Sequence, residues 1–200
     1  MYVLFNILIS SIIQLIIVIS ITFILLTIFN KKTHYFNYIG LKKFENNLTI
    51  YKLSLIGIIS FTILGIYILN ILESTENAAY QFNGLGFVGL LPAIIYSFIQ
   101  TSLTEEIFFR GFLLKIASNK FGFLTGNIIQ SILFGSLHGI MFFSKTNIFN
   151  VFFITLFTTI IAYFIGYINE KKANGSIIPS WIIHGSCNMI TSLLFLFKLI

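Results

Sequence analysis

The chain has 200 residues, of which 57% are hydrophobic and only 9% are charged, and its mean hydropathy is +0.97. Because soluble domains are about one-quarter charged, this composition excludes an ordinary water-soluble fold. A net charge of +6 would suggest a nucleic-acid partner in a soluble protein. In a membrane protein, lysines in cytoplasmic loops account for it, so we expect a lipid bilayer and no nucleic acid as the partner. Cys187 is the only cysteine, which excludes a disulfide within the chain.

Six apolar stretches are long enough to cross a bilayer, which takes about 20 residues. They cover residues 3–29, 52–72, 88–117, 127–143, 148–168 and 177–197. The first stretch lacks the basic start and small-residue cleavage site of a signal peptide, so we interpret it as a retained helix. The sequence therefore predicts an all-α protein, a polytopic transmembrane helix bundle of about six spans with almost no soluble mass.

The charges in the connections predict the orientation of this bundle. With six spans, nine lysines fall on one side, in the first, third and fifth connections: Lys31, Lys32, Lys42, Lys43, Lys52, Lys115, Lys120, Lys171 and Lys172. The other side has two lysines and an acidic pair: Lys145, Lys198, Glu73 and Glu76. Cytoplasmic loops are enriched in basic residues. We therefore expect a multi-pass protein of the cell (plasma) membrane with both termini outside.

The first connection combines aromatic residues with lysines, a mixture typical of the headgroup level of a membrane. His34 lies in this connection, and we interpret it as an interfacial histidine rather than a ligand. The chemistry-bearing residues all come later in the chain. We therefore divide the chain into two N-terminal spans with an interfacial connection, residues 1–87, and a four-helix core, residues 88–200.

The third span carries charges inside the hydrocarbon region, in the sequence Gln100-Thr-Ser-Leu-Thr-Glu-Glu-Ile-Phe-Phe-Arg-Gly111. Ionisable residues in a span cost at least about 2.5 kcal/mol each and indicate function. Glu106 and Arg110 are four residues apart, so they share one helical face and can neutralise each other. Glu105 points about 100° away on an α-helix and has no partner within its helix. An unpaired carboxylate in an apolar site suits a general base, although a purely structural ion pair is the alternative.

Two further spans carry polar residues at helical spacing. The fourth contains Phe134-Gly-Ser-Leu-His138, and the sixth contains His184-Gly-Ser-Cys-Asn188. His184 and Asn188 lie on one helical face, where two donors can stabilise a developing oxyanion, or they can serve only as hydrogen bonds between helices. Glycines beside these polar residues would let the helices approach closely: Gly111, Gly135, Gly139 and Gly185.

These three motifs, Glu-Glu-x-x-x-Arg, Phe-x-x-x-His and His-x-x-x-Asn, resemble those of the CPBP family, the CAAX proteases and bacteriocin-processing enzymes also called Abi proteins. The resemblance covers roughly residues 88–196. It implies an intramembrane endopeptidase acting on a membrane-bound protein or peptide substrate, either CAAX-protease-like or in bacteriocin and peptide processing. By similarity, Glu105 and His138 would activate the attacking water, and His184 and Asn188 would stabilise the oxyanion. Glu106 with Arg110 would hold the site together.

The metal requirement is a separate question, because many family members are labelled metalloproteases. Glu105, His138 and His184 could ligate Zn²⁺, but the chain lacks the His-Glu-x-x-His pattern common in zinc proteases. We therefore favour a site without metal or other cofactor, in which Glu105 activates water. A serine or cysteine nucleophile is disfavoured, since Ser102, Ser136, Ser186 and Cys187 are small residues of the kind that pack membrane helices.

Two other classes of function also explain intramembrane polar residues. One is a non-catalytic immunity or scaffold protein of the same fold, which binds a partner without turnover. The other is a small transporter or proton relay, but the sequence shows no inverted repeats or paired broken helices. A complete set of motif residues favours the protease.

Overall fold

The computed structural model describes residues 2–29, 34–45, 47–71 and 77–200, without the side chains of residues 64, 67, 68 and 71. It forms an all-α bundle, with no strand among the described residues. The helices are α1 Tyr2–Phe29, α2 Tyr35–Tyr38, α3 Leu48–Ile71, α4 Gly86–Phe121, α5 Phe123–Phe142, α6 Ile148–Lys172 and α7 Ile178–Leu196. Six of these correspond to the predicted spans, although α3 and α5 begin four residues before the predicted starts and α4 and α6 end four residues after the predicted ends.

Three of the described helices, α1, α4 and α6, are long and apolar enough to cross a membrane. In α1 only Ile7, Ser11, Thr22 and Leu26 are buried, and many of the other apolar side chains, such as Ile12, Ile16 and Ile24, are exposed. Such a surface is stable in lipid and would aggregate in water. The prediction of an all-α membrane helix bundle is confirmed. Helices α5 and α7 are not among these three, and both carry several polar side chains, including His138, His184 and Asn188.

Helix α4 lies at the centre of the bundle and contacts α1, α5 and α7. It is wound as a π-helix over Ile95–Leu103 and again over Glu106–Leu113. The hydroxyl of Ser102 donates to the carbonyl of Ser97, five residues earlier, at 2.6 Å. π-helical turns are uncommon and occur frequently at functional sites. The hydropathy pattern did not predict this winding, because it reports burial and not the number of residues in each turn.

Helices α5 and α6 pack closely through small residues and buried amides. A Cβ atom at Gly135 or Gly139 would collide with Thr159 or Thr155 of α6, so these two glycines bring α5 close to α6 rather than to the other helices that carry the polar residues. Asn127 Nδ2 donates to the carbonyl of Tyr163 at 2.9 Å. Hydrogen bonds of this kind join helices where no water competes.

The first, third and fifth connections meet at one end of the bundle. Lys115 Nζ donates to the carbonyl of Gly175 at 2.6 Å, and Ser176 Oγ donates to the carbonyl of Lys42 at 2.6 Å. At the opposite end, the amide of Gly84 donates to the carbonyl of Phe195 at 3.1 Å. This grouping matches the predicted division of lysines between the two ends, but Lys31, Lys32, Glu73 and Glu76 lie outside the described residues.

The N-terminal helices share hydrophobic clusters with the predicted core. Ile7 of α1 packs in one cluster with Phe195 of α7, and Phe61 of α3 packs in another with Ile165 of α6. Apolar contacts therefore join the two parts into which we divide the chain, residues 1–87 and 88–200, at both ends of the bundle. The division itself stays a prediction.

The contact at Gly135 gives a stability prediction. Gly135→Ala places a methyl group against Thr159 and the carbonyl of Thr155, and overpacking of this kind costs roughly 1–3 kcal/mol. The matched control is Gly65→Ala, because a Cβ atom there meets no atom within 4 Å and alanine favours a helix by about 1 kcal/mol. In detergent, we expect Gly135→Ala to lower the melting temperature and Gly65→Ala to leave it unchanged or raise it. Equal melting temperatures would contradict the close packing of α5 on α6.

Candidate active site

A fully buried charge cluster joins three helices in the middle of the bundle. Arg110 Nη1 lies 3.1 Å from Glu106 Oε1, and both side chains are completely buried. The guanidinium carbon of Arg110 also lies 4.3 Å from the centre of the Phe134 ring, which is within cation–π distance. Helix α4 thus supplies the ion pair and α5 supplies its aromatic cover. The predicted pairing of Glu106 with Arg110 is present in the structure.

Glu106 has a second partner that the sequence did not indicate. His184 Nδ1 lies 3.0 Å from Glu106 Oε1, so α7 joins the same cluster. His184 Nε2 lies 3.8 Å from Glu105 Oε2. Glu105 therefore faces the imidazole of α7. The two adjacent carboxylates of α4 thus both reach one histidine.

The two carboxylates differ sharply in exposure. The side chain of Glu106 is 0% exposed, whereas that of Glu105 is 32% exposed. A buried, paired carboxylate holds its partners in place and cannot reach a substrate. An exposed carboxylate beside a histidine can accept a proton from water. The structure therefore separates the two adjacent glutamates into a structural and an accessible group.

The hydrogen bond of His138 determines which ring nitrogen is free. Its Nδ1 lies 2.9 Å from the carbonyl oxygen of Phe134. A carbonyl only accepts, so Nδ1 carries the proton, and in the neutral ring Nε2 is left as an acceptor. His138 can thus bind a water proton through Nε2, as a base requires.

Asn188 lies one turn after His184 on α7 and hydrogen-bonds to α4. Its Nδ2 donates to Thr101 Oγ1 at 2.9 Å and to Ser102 Oγ at 3.3 Å. These hydroxyls lie in the first π-helical segment, and Ser102 is fully buried. Both Nδ2 protons of Asn188 are therefore bound by hydroxyls of α4, which fixes the orientation of the amide beside the polar cavity.

A polar cavity of about 420 Å³ brings these residues together. Its lining includes all four predicted catalytic residues, Glu105, His138, His184 and Asn188, together with Tyr96 and Thr101. A second cavity of about 220 Å³ shares His138, His184 and Asn188 but is otherwise mostly apolar, with Phe61, Phe157 and Ile161 in its wall. His138, His184 and Asn188 therefore stand between a polar and an apolar compartment.

The residues proposed for zinc do not form a metal centre in this arrangement. A zinc site requires Glu105, His138 and His184 to converge within about 2.0–2.2 Å of one point. Among the described residues, no group of three or more His, Cys, Asp or Glu side chains could hold a metal ion. As they are arranged here, the side chains of Glu105, His138 and His184 therefore do not fit a zinc ion.

Several contributors to the site were missed by the sequence reading. The sequence analysis assigns Ser102 to ordinary helix packing and gives Thr101 no role, although both hold Asn188. The apolar wall from α3 was missed because its residues carry no chemistry that a motif could show. A signal existed for Phe134, which lies four residues before His138 and so shares its face. Cys187 lies 3.8 Å from Thr62 Oγ1 and lines only the apolar cavity.

Counted from the predicted ends of their spans at the α-helical rise, His184 would lie several ångströms nearer the lysine-rich end than Glu105. Helix α7 begins at Ile178, one residue later than predicted, yet His184 contacts both glutamates.

Comparison with known proteins places this site in a family. No curated protein and no solved structure shows significant similarity to the chain. A family model described as type II CAAX prenyl endopeptidase Rce1-like matches residues 87–190, just over half of the chain. The matched segment contains all seven residues of the three motifs, in agreement with the resemblance to CAAX proteases. The chain belongs to the type II CAAX prenyl endopeptidase Rce1-like family, a family of proteases.

Proposed function

We propose that the protein is an intramembrane endopeptidase that hydrolyses a peptide bond of a membrane-associated protein or peptide with a water molecule activated by Glu105 and His138. The observation that carries this proposal is the convergence of Glu105, His138, His184 and Asn188, from three helices, on one cavity. A base, a second acceptor and two donors are the groups that peptide hydrolysis requires.

In the proposed reaction, the water oxygen attacks the scissile carbonyl carbon and its proton passes to Glu105, with His138 Nε2 orienting the water. The carbonyl oxygen becomes an oxyanion that accepts hydrogen bonds from His184 and Asn188. To donate to it, Asn188 exchanges its longer hydrogen bond, the 3.3 Å bond to Ser102, for one to the oxyanion. The carbon–nitrogen bond then breaks, and Glu105 returns the proton to the leaving amine. No covalent enzyme intermediate forms. The carboxyl group of Glu105 acts first as the base and then as the acid.

The geometry specifies the form in which His184 can act as a donor. Its Nδ1 faces Glu106, so the Nδ1 proton is already donated. His184 can donate to an oxyanion from Nε2 only as an imidazolium. In that form, two carboxylates balance one guanidinium and one imidazolium, and the cluster of Glu105, Glu106, Arg110 and His184 is electrically neutral.

The apolar cavity supports a substrate with an apolar group next to the scissile bond. We propose that this group is an isoprenyl chain, as the family description suggests, or an apolar side chain of the peptide. The cavity walls from α3 and α6 are aromatic and aliphatic, and its volume of about 220 Å³ is suited to part of such a chain. The shared residues would then lie beside the bond that is cleaved.

The direct test uses purified protein in detergent with a library of quenched fluorescent peptides, prenylated and unprenylated. We expect cleavage that Glu105→Gln abolishes and that prolonged chelation leaves intact. Activity lost on chelation and restored by zinc, together with stoichiometric zinc in the protein, would overturn the metal-free mechanism. A native protein that cleaves no peptide, and instead binds a partner equally well with Glu105→Gln, would identify a non-catalytic role.

The different environments of the two glutamates predict different mutant phenotypes. Glu105→Gln should abolish turnover with nearly unchanged thermal stability, because its side chain is partly exposed. Glu106→Gln should also destabilise the fold, since it leaves Arg110 buried without its anion, and breaking a buried pair costs about 3–5 kcal/mol. Thermal unfolding and turnover of both variants, measured in one detergent, check the division. Equal melting temperatures would refute it.

Asn188 provides a test of the oxyanion site. Asn188→Ala should lower kcat by about 10²–10³, the cost of one oxyanion donor, with little change in KM. Thr101→Val removes the hydroxyl that holds the amide and should cause a smaller loss of kcat. Measuring kcat and KM of both variants separates stabilisation of the oxyanion by Asn188 from positioning of its amide by Thr101. An effect of Asn188→Ala on KM alone would assign Asn188 to substrate binding.

Filling the apolar cavity should affect apolar substrates selectively. Ile161→Trp adds bulk to its wall, whereas Leu156→Trp on the same helix adds bulk to a lipid-facing position, where the side chain is 44% exposed. We expect Ile161→Trp to lower kcat/KM for a prenylated peptide at least tenfold and Leu156→Trp to leave it unchanged. An equal loss for a prenylated and an unprenylated peptide would show that the cavity does not receive the prenyl chain.

A further inference from the structure

The polar cavity reaches the surface at one end of the bundle. Ala78, just after α3, and Lys145, between α5 and α6, both line it and are exposed. The chain termini lie at this same end, since Ile7 and Phe195 share a cluster with Ala79. The approach to the catalytic residues therefore runs from the end that carries the second and fourth connections.

The opposite end of the site is closed. The completely buried Glu106 and Arg110 lie on that side of Glu105 along α4. Beyond them, Lys115 bonds to Gly175 and Ser176 bonds to Lys42, which ties the three lysine-rich connections together. Among the described residues, none from these connections lines either cavity. A substrate thus has no opening to the catalytic residues at the lysine-rich end.

The distribution of lysines gives this asymmetry a direction. Among the described residues, seven lysines lie towards the closed end and two, Lys145 and Lys198, towards the end with the opening. A bias of this size places the lysine-rich end in the cytoplasm. We propose that the catalytic cavity opens on the outer face of the membrane, and that the substrate is an exported peptide or an outward-facing segment of a membrane-anchored protein.

This inference rests on the proposed endopeptidase function and specifies from where its substrate comes. An apolar group held in the outer leaflet would enter the smaller cavity, while the peptide enters the larger one from the aqueous side. A chain confined to the cytoplasm would meet the closed end, where the buried ion pair stands between it and Glu105. The substrate must therefore cross the membrane, or be inserted into it, before cleavage.

Sided labelling tests the orientation independently of activity. In a Cys187→Ala background, Ala78→Cys reports the cavity opening and Lys171→Cys reports the lysine-rich end, and both positions are exposed. In intact cells, we expect a membrane-impermeant maleimide to label Ala78→Cys and to reach Lys171→Cys only after permeabilisation. Labelling with the opposite sidedness, or of both positions from one side, would overturn the proposal.

An activity measurement distinguishes failure of this inference from failure of the proposed function. A membrane-impermeant peptide that the protein cleaves in detergent is supplied to right-side-out and inverted membrane vesicles, with Glu105→Gln as the control. Cleavage at least tenfold faster in right-side-out vesicles supports the proposal. Cleavage only in inverted vesicles overturns the orientation and leaves the endopeptidase intact. Absence of cleavage even in detergent refutes the endopeptidase, and the labelling still decides the orientation.

Discussion

The carboxylate of Glu106 is the contact on which the rest of the site depends. A buried guanidinium is costly in a low-dielectric interior unless an anion lies beside it, and Glu106 lies 3.1 Å from Arg110. The same oxygen lies 3.0 Å from His184, so one carboxylate joins α4 to α7. Phe134 covers the guanidinium from α5. One ion pair and its aromatic cover thus fix the relative positions of the three helices that carry the candidate catalytic residues.

The π-helical winding of α4 coincides with its contacts to α7 at the site. In these wider turns a side-chain hydroxyl can donate to the backbone carbonyl five residues earlier, as the hydroxyl of Ser102 does to the carbonyl of Ser97. The first π-helical segment presents Thr101 and Ser102 to Asn188. Both functional helix contacts of α7, at His184 and at Asn188, therefore fall where α4 departs from α-helical geometry.

The sequence predicts the membrane helices well, because apolar length is a property of each segment alone. It also predicts the ion pair of Glu106 with Arg110, since both residues lie on one helix at a fixed spacing. Contacts between helices are different. The bond from His184 to Glu106 and the bonds from Asn188 to Thr101 and Ser102 depend on helix rotation and depth, which hydropathy does not encode. The apolar wall from α3 was unpredictable for the same reason.

The division of work between Glu105 and Glu106 follows from environment rather than from residue type. Two neighbouring carboxyl groups can take opposite roles when one is fully paired and the other faces a cavity. Glu106 stays buried between two partners, and Glu105 remains accessible beside His184. His138, His184 and Asn188 also form the boundary between the polar and apolar cavities. A scissile bond placed against them has water on one side and hydrocarbon on the other. An amphiphilic substrate satisfies both compartments, whereas a wholly polar peptide would leave the apolar cavity unfilled.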